Sequence, residues 1–145
     1  MSFQFTLQKI LEVKESEKLK AEKEFTQATK QFEEVATKLY ELLKKKEDYE
    51  NHYNNQMLTG IHVFQIQQSY SILGQLQKQI DQLQYYTQQA RVNMNKKEEI
   101  LVEKSIELKK YEKMKQIKYE QFLEETKRQE SLLMDEISVQ QFMNR

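Results

Sequence analysis

Apolar side chains recur in alternating steps of four and three from Ala21 to Tyr53. They are Ala21, Phe25, Ala28, Phe32, Val35, Leu39 and Leu42, then Tyr49 and Tyr53, with Lys46 as the one interruption. Such steps average about 3.5 residues, the repeat that keeps one seam of an α-helix against a partner helix. Between them fall Glu22, Lys23, Glu24, Lys30, Glu33, Glu34 and Lys38, which belong in water. Carried backward, the phase puts Lys18 and Lys14 in the seam before Leu11 and Leu7 resume it. Polar seam residues weaken pairing and help fix register, so this strand is weak near 14–18 and strong from 21 to 43.

The same period returns at Leu73 and runs through Leu76, Ile80, Leu83, Thr87, Ala90 and Met94, then Leu101, Leu108, Tyr111 and Phe122. Lys97, Lys104, Lys115 and Lys118 occupy the remaining slots. The best break between the two strands is Met57-Leu58-Thr59-Gly60-Ile61, because Gly60 can take the left-handed conformation that closes a helix. The pattern therefore predicts an all-α fold, a long antiparallel two-helix coiled-coil hairpin forming a single domain over 1–145. Helix 1 is expected at about 5–57, the turn at about 58–63 and helix 2 at about 64–143. Ser69, Ser71 and Gly74 allow a late start or a bend at 69–74. With the turn near residue 60, position i faces roughly 120 − i, so Leu7 faces the neighbourhood of Lys113 and roughly thirty C-terminal residues form a helical overhang.

Phe3, Phe5, Leu7, Ile10, Leu11 and Val13 make an apolar start broader than a two-position seam, with Thr6 as a candidate cap. Two readings stand: an end that folds over its own apolar side, or a tip that holds a partner.

Composition removes many alternatives. The chain has two glycines, no proline and no cysteine, too few turn residues for a strand-and-loop protein. A charged fraction of 32% with mean hydropathy −0.90 would suit disorder, but the apolar residues are phased rather than scattered. Formal net charge is zero, which gives a polyanion no general attraction, and Lys44-Lys45-Lys46 is answered at once by Glu47, Asp48 and Glu50. No apolar run is long enough to cross a bilayer, and the start lacks the regions of a signal peptide, so a cytosolic chain is expected. No glycine-rich phosphate loop exists, and His52 and His62 have no carboxylates placed to complete a metal site. Glu98-Glu99 and Glu124-Glu125 lie in charged helical stretches with no cavity to raise a pKa. The expectation is a protein without catalysis, cofactor or metal.

One shift in composition stands out. Between Asn51 and Asn95 the only charges are Lys78, Asp81 and Arg91, and glutamine takes over. This stretch is either a neutral coat or a partner-facing surface, the second favoured by Phe64, Tyr70, Tyr85 and Tyr86, since interface cores lose charge and gain aromatics.

Several features together resemble the flagellar export FliJ family. They are the opening Phe3-Gln-Phe-Thr-Leu-Gln-Lys-Ile-Leu11 before a Lys/Glu-rich helix, Gln56-Met57 followed by Thr59-Gly60-Ile61 at the interhelical break, Glu103-Lys104 leading into Tyr111-Glu-Lys-Met-Lys115, and Met134-Asp135-Glu136 near the end. The resemblance covers nearly the whole chain. It implies a cytoplasmic component of the flagellar type III export apparatus, an antiparallel coiled coil similar to the central stalk of rotary ATPases. It further implies work with the export ATPase FliI and its regulator FliH, contact with the export gate protein FlhA, handling of export chaperones, and peripheral association with the inner face of the membrane at the flagellar base. Gate contact in the family maps to Ile72, Leu76, Gln79 and Leu83, with Gln79 standing where the family has a small apolar residue. Leu76 and Leu83 also serve the seam, which leaves Ile72 free for a partner. Stalk-like contact with the ATPase would use the helical ends, here Phe3 and Phe5 with Met134, Asp135 and Glu136.

Other readings of the same pattern are a holdase-like chaperone gripping clients with its tips, and a passive coiled coil that dimerises through Phe3, Phe5 and Ile10. Nucleic-acid binding ranks last.

Overall fold

A computed structural model describes residues 2–144 and contains two α-helices, α1 (Gln8–Thr59) and α2 (Val63–Met143), packed against each other as an antiparallel hairpin. Gly60 carries the reversal with φ at 89°, the only positive φ among the described residues. An L side chain there would bring its Cβ against the following carbonyl, which is why glycine stands at the helix end. His62 then opens α2. Its carbonyl accepts from the Ile66 amide at 3.1 Å, while its own amide donates to Gln65 Oε1 at 3.4 Å. The glutamine reaching back to the cap amide is one half of a capping box.

The chain divides into two compact units, Ala21–Leu101 and Met1–Lys20 with Val102–Arg145. In the first, Ala21, Ala28, Leu76 and Ile80 are buried, and Phe25, Phe32, Val35, Leu39, Leu42, Leu73, Leu83, Ala90, Met94 and Leu101 are half-buried. Ile80, only 1% exposed, is the largest fully buried side chain. Polar groups inside this seam are answered. Thr87, buried, donates back to the Leu83 carbonyl at 2.6 Å, Tyr49 Oη donates to buried Ser69 Oγ at 3.3 Å, and Lys46 Nζ donates to Gln77 Oε1 at 2.6 Å. The Arg91 guanidinium lies 5.5 Å from the centre of the Phe32 ring, a cation–π contact. The α2 helix is uninterrupted through 69–74, where the serines and Gly74 had allowed a late start or bend. Ser69 sits in the seam, and Gly74 has open space around it rather than a neighbour forcing the backbone aside.

The other unit is built on buried Leu11 and Leu108. Next to them Lys14 pairs with Glu107 at 3.1 Å and Lys104 with Glu17 at 3.4 Å, closed by Lys14–Glu17 at 3.5 Å and Lys104–Glu107 at 3.9 Å. The residue numbers in both cross-helix pairs add to 121, as they do for Glu24 and Lys97 in the first unit. The observed register is thus one step from the expected 120 − i.

The N-terminal segment departs from the expected helix start near residue 5. Residues 2–5 have no regular secondary structure, Thr6 and Leu7 form a turn with the Gln8 amide donating to the Phe5 carbonyl at 3.0 Å, and α1 begins at Gln8. Leu7, not Thr6, holds the cap position, since its carbonyl accepts the Leu11 amide at 2.9 Å. Lys118, expected in the seam, is exposed, because this non-helical segment rather than a helix lies across α2 there and a lysine can carry its charge into water along its stem.

Candidate partner-binding surfaces

Three surfaces are available, each fixed by what the seam does or does not consume. The first is the α2 face bearing Ile72, Leu76, Gln79 and Leu83, brought together by the same steps of four and three. Leu76 is 5% exposed and Leu83 half-buried, so both are committed to α1; Ile72 at 36% and Gln79 remain open to solvent along the edge. A partner reaching this face meets Ile72 and Gln79 first and touches Leu76 only if the helices part.

Around the turn lies the second surface. Met57, Leu58, Val63, Phe64 and Tyr70 are exposed, Leu58 by 86%. No lysine, arginine, aspartate or glutamate occurs from Asn51 to Gln77, so these apolar groups sit in a neutral amide coat. Farther along α2, Tyr85 and Tyr86 are also exposed and meet edge to face at 5.8 Å, with Gln89 Nε2 donating to Tyr85 Oη at 2.6 Å. Charges bordering this stretch are tied locally: Asp81 accepts from Gln77, and Arg91 covers Phe32.

The third surface is the end of α2. Every described residue from Lys127 to Asn144 is exposed, including Leu132, Leu133, Met134, Asp135, Glu136, Ile137, Val139, Phe142 and Met143. The strict seam phase carried past Phe122 falls on Glu125, Gln129, Leu132 and Glu136, so these exposed apolar groups as a set do not continue the seam, and α1 has no residue to cover them. Phe3 and Phe5, assigned with Met134, Asp135 and Glu136 to one partner-binding end, are in a different situation. Both are half-buried, and Phe3 packs edge-on to Tyr119 at 5.2 Å and tilted against Phe122 at 5.5 Å. Of the two readings left open for the apolar start, the geometry is that of an end folded over its own apolar side. Sequence reasoning had not paired Phe3 with these rings, although the expected register already places it within a few residues of them.

The ion-pair network beside Leu11 and Leu108 shifts two pKa values. The hydrogen bond to Glu107, reinforced by the charges of Glu107 and Glu17, raises the Lys14 pKa above 10.5 against a smaller opposing effect of burial. That same bond, with the Lys104 charge, lowers the Glu107 carboxyl below 4.5. These are shifts of an ion-pair network, not of an acid–base pair beside a cavity. Among the described residues no group of His, Cys, Asp or Glu is placed to hold a metal ion, and His52 contacts the Gln56 amide at 3.1 Å. No helix is long and apolar enough to cross a membrane.

The whole hairpin, end to end, is matched by one family. The model of the flagellar FliJ protein family covers residues 3–145. This chain belongs to the FliJ family. It is also similar to the flagellar FliJ protein of Bacillus subtilis (strain 168), with 40% identity over 143 residues that span 99% of this chain and 97% of the relative. No solved structure matches it. As a FliJ-family protein it is a non-enzymatic component of the flagellar export apparatus. The family match runs through the extended start, the Gly60 turn and the bare end of α2 alike, so all three surfaces lie within it.

Proposed function

We propose that the protein is a stalk and coupling component of the flagellar type III export apparatus, acting in the cytoplasm at the inner face of the membrane. In this reading the bare end of α2 enters the ring of the export ATPase FliI, working with its regulator FliH, and promotes assembly of that ring. The face at Ile72 and Gln79 meets the gate protein FlhA, and the exposed apolar positions serve transient contacts with export chaperones. The observation that carries the reading is an exposed apolar cluster at the end of α2, with Leu132, Leu133, Met134, Ile137 and Val139 on a stretch that α1 does not reach. A hairpin that needed only its own seam would have no use for it, and exposed apolar clusters of this kind mark contact surfaces.

The test is assembly of the purified ATPase with and without the full chain, read by sedimentation and by ATP turnover. The chain should promote the oligomer, and Leu133→Asp with Ile137→Asp should abolish that effect while leaving helicity intact. Ile72→Asp should weaken gate binding alone. If the ATPase assembles equally well with the double variant, the α2 end is not the contact. A holdase reading draws on the exposed Leu58, Val63 and Phe64 at the turn. It predicts protection of unfolded clients by the isolated protein and no effect on the ATPase.

A further inference from the structure

The segment before α1 is bound differently from anything else in the molecule. From Ser2 to Phe5 it has no helical structure, and the Gln8 amide donates to the Phe5 carbonyl across its turn. What holds it is side-chain contact. Phe3 lies against Tyr119 and Phe122, while Phe5 and Leu7 line a shallow groove with Met114 and Phe122, edged by Lys118 and Glu125. The segment therefore occupies the stretch of α2 immediately before the track that stands bare from Lys127 onward. Its hold is a few aromatic contacts on one face of a helix that stays hydrogen-bonded whether or not the segment is present.

We propose that Ser2–Thr6 is a releasable strap, an autoinhibitory contact that covers the seam face of α2 from Met114 to Glu125. Released, it extends the bare track of the α2 end backward by about three helical turns at 3.6 residues each. A ligand that grips the longer track and the strap compete for the same surface, so each weakens the other by the same factor. Such a segment opens before the helices do, because its release breaks no ladder of backbone hydrogen bonds. The inference draws on the proposed role of α2 only for its consequence. Its test uses the isolated protein and stands if the ATPase reading fails.

Absence of tryptophan makes the test clean, since Phe3→Trp installs a single reporter in the full chain. Urea is titrated while indole emission and the helical ellipticity at 222 nm are followed together. The strap predicts indole emission shielded in buffer that moves to the red at lower urea than the loss of ellipticity. Coincident transitions would make the segment part of the cooperative fold, and emission already fully red-shifted in buffer would mean it is not docked. Either result overturns the proposal. A second full-chain variant, Phe3→Ser with Phe5→Ser, should bind more of an apolar dye such as anilinonaphthalene sulfonate at unchanged ellipticity. Unchanged dye binding would show that no apolar face lies beneath the segment.

Discussion

Ile80 offers the sharpest test of the seam. It is 1% exposed, and Val92, twelve positions on in the same helix, is 53% exposed. Truncating a buried isoleucine to alanine costs about 2–5 kcal/mol, the sum of lost transfer energy and the cavity left behind. A two-helix seam can close in from the sides more easily than a globular core, so the lower half of that range, about 2–3 kcal/mol, is expected. Alanine also favours helix over β-branched residues by a few tenths of a kcal/mol, roughly equally at both sites. The difference between Ile80→Ala and Val92→Ala therefore isolates burial, and Val92→Ala should stay within about 0.5 kcal/mol of the parent. Urea unfolding followed at 222 nm gives both values, and the midpoint for Ile80→Ala should fall clearly below the other. Equal midpoints would mean that Ile80 is not in a packed seam.

Other predictions follow from single features. Gly60→Ala forces an L residue into the left-handed region and should destabilise by about 1–2 kcal/mol, whereas Gly74→Ala, with nothing within 4 Å of the added carbon, should stabilise by about 1 kcal/mol; a thermal melt that rises for the first or falls for the second would contradict that assignment. Because Lys14 and Lys104 hold the Glu107 carboxyl below 4.5, its stabilising contribution is present above that value and is lost as pH falls through the lower folded pKa. Lys14, raised above 10.5, contributes below that value and loses its contribution as pH rises through the higher folded pKa. The melting difference between the parent and Glu107→Gln should accordingly be constant across neutral pH and shrink as the solution is acidified below 4.5, and a difference that does not shrink on acidification would refute the pairing. Leu133→Asp with Ile137→Asp should leave the melt unaltered, since both residues are exposed, and a lowered melt would show that the α2 end is covered after all.

The hairpin was legible because its causes are local. Steps of four and three mark which residues face inward, Gly60 suits the left-handed turn, and the turn position alone sets the register to within a residue of that seen at Lys14–Glu107. The departures have tertiary causes. Thr6 reads as a helix start, yet Phe3 gains more by packing on Tyr119 and Phe122 than by joining α1, and no periodicity shows that trade. Gly74 and the serines read as a weak point, but Ser69 is drawn into the seam by Tyr49 and the helix continues. Among the candidate contact residues, Ile72 and Gln79 carry no seam duty that would hide them, whereas the depth of Leu76 depends on how closely α1 approaches and is visible only in three dimensions.

Everything functional here depends on α1 and α2 pairing within one molecule. Lys30→Cys with Val92→Cys places two spin labels on exposed sites of facing helices, in a chain that has no other thiol. Helices packed at about 8–10 Å between axes should bring the labels within about 30 Å once their linkers are included, and that distance should persist when labelled protein is diluted with unlabelled. A single continuous helix would hold them about 90 Å apart at 1.5 Å per residue, and pairing between molecules would lose the short distance on dilution; either result would contradict the hairpin.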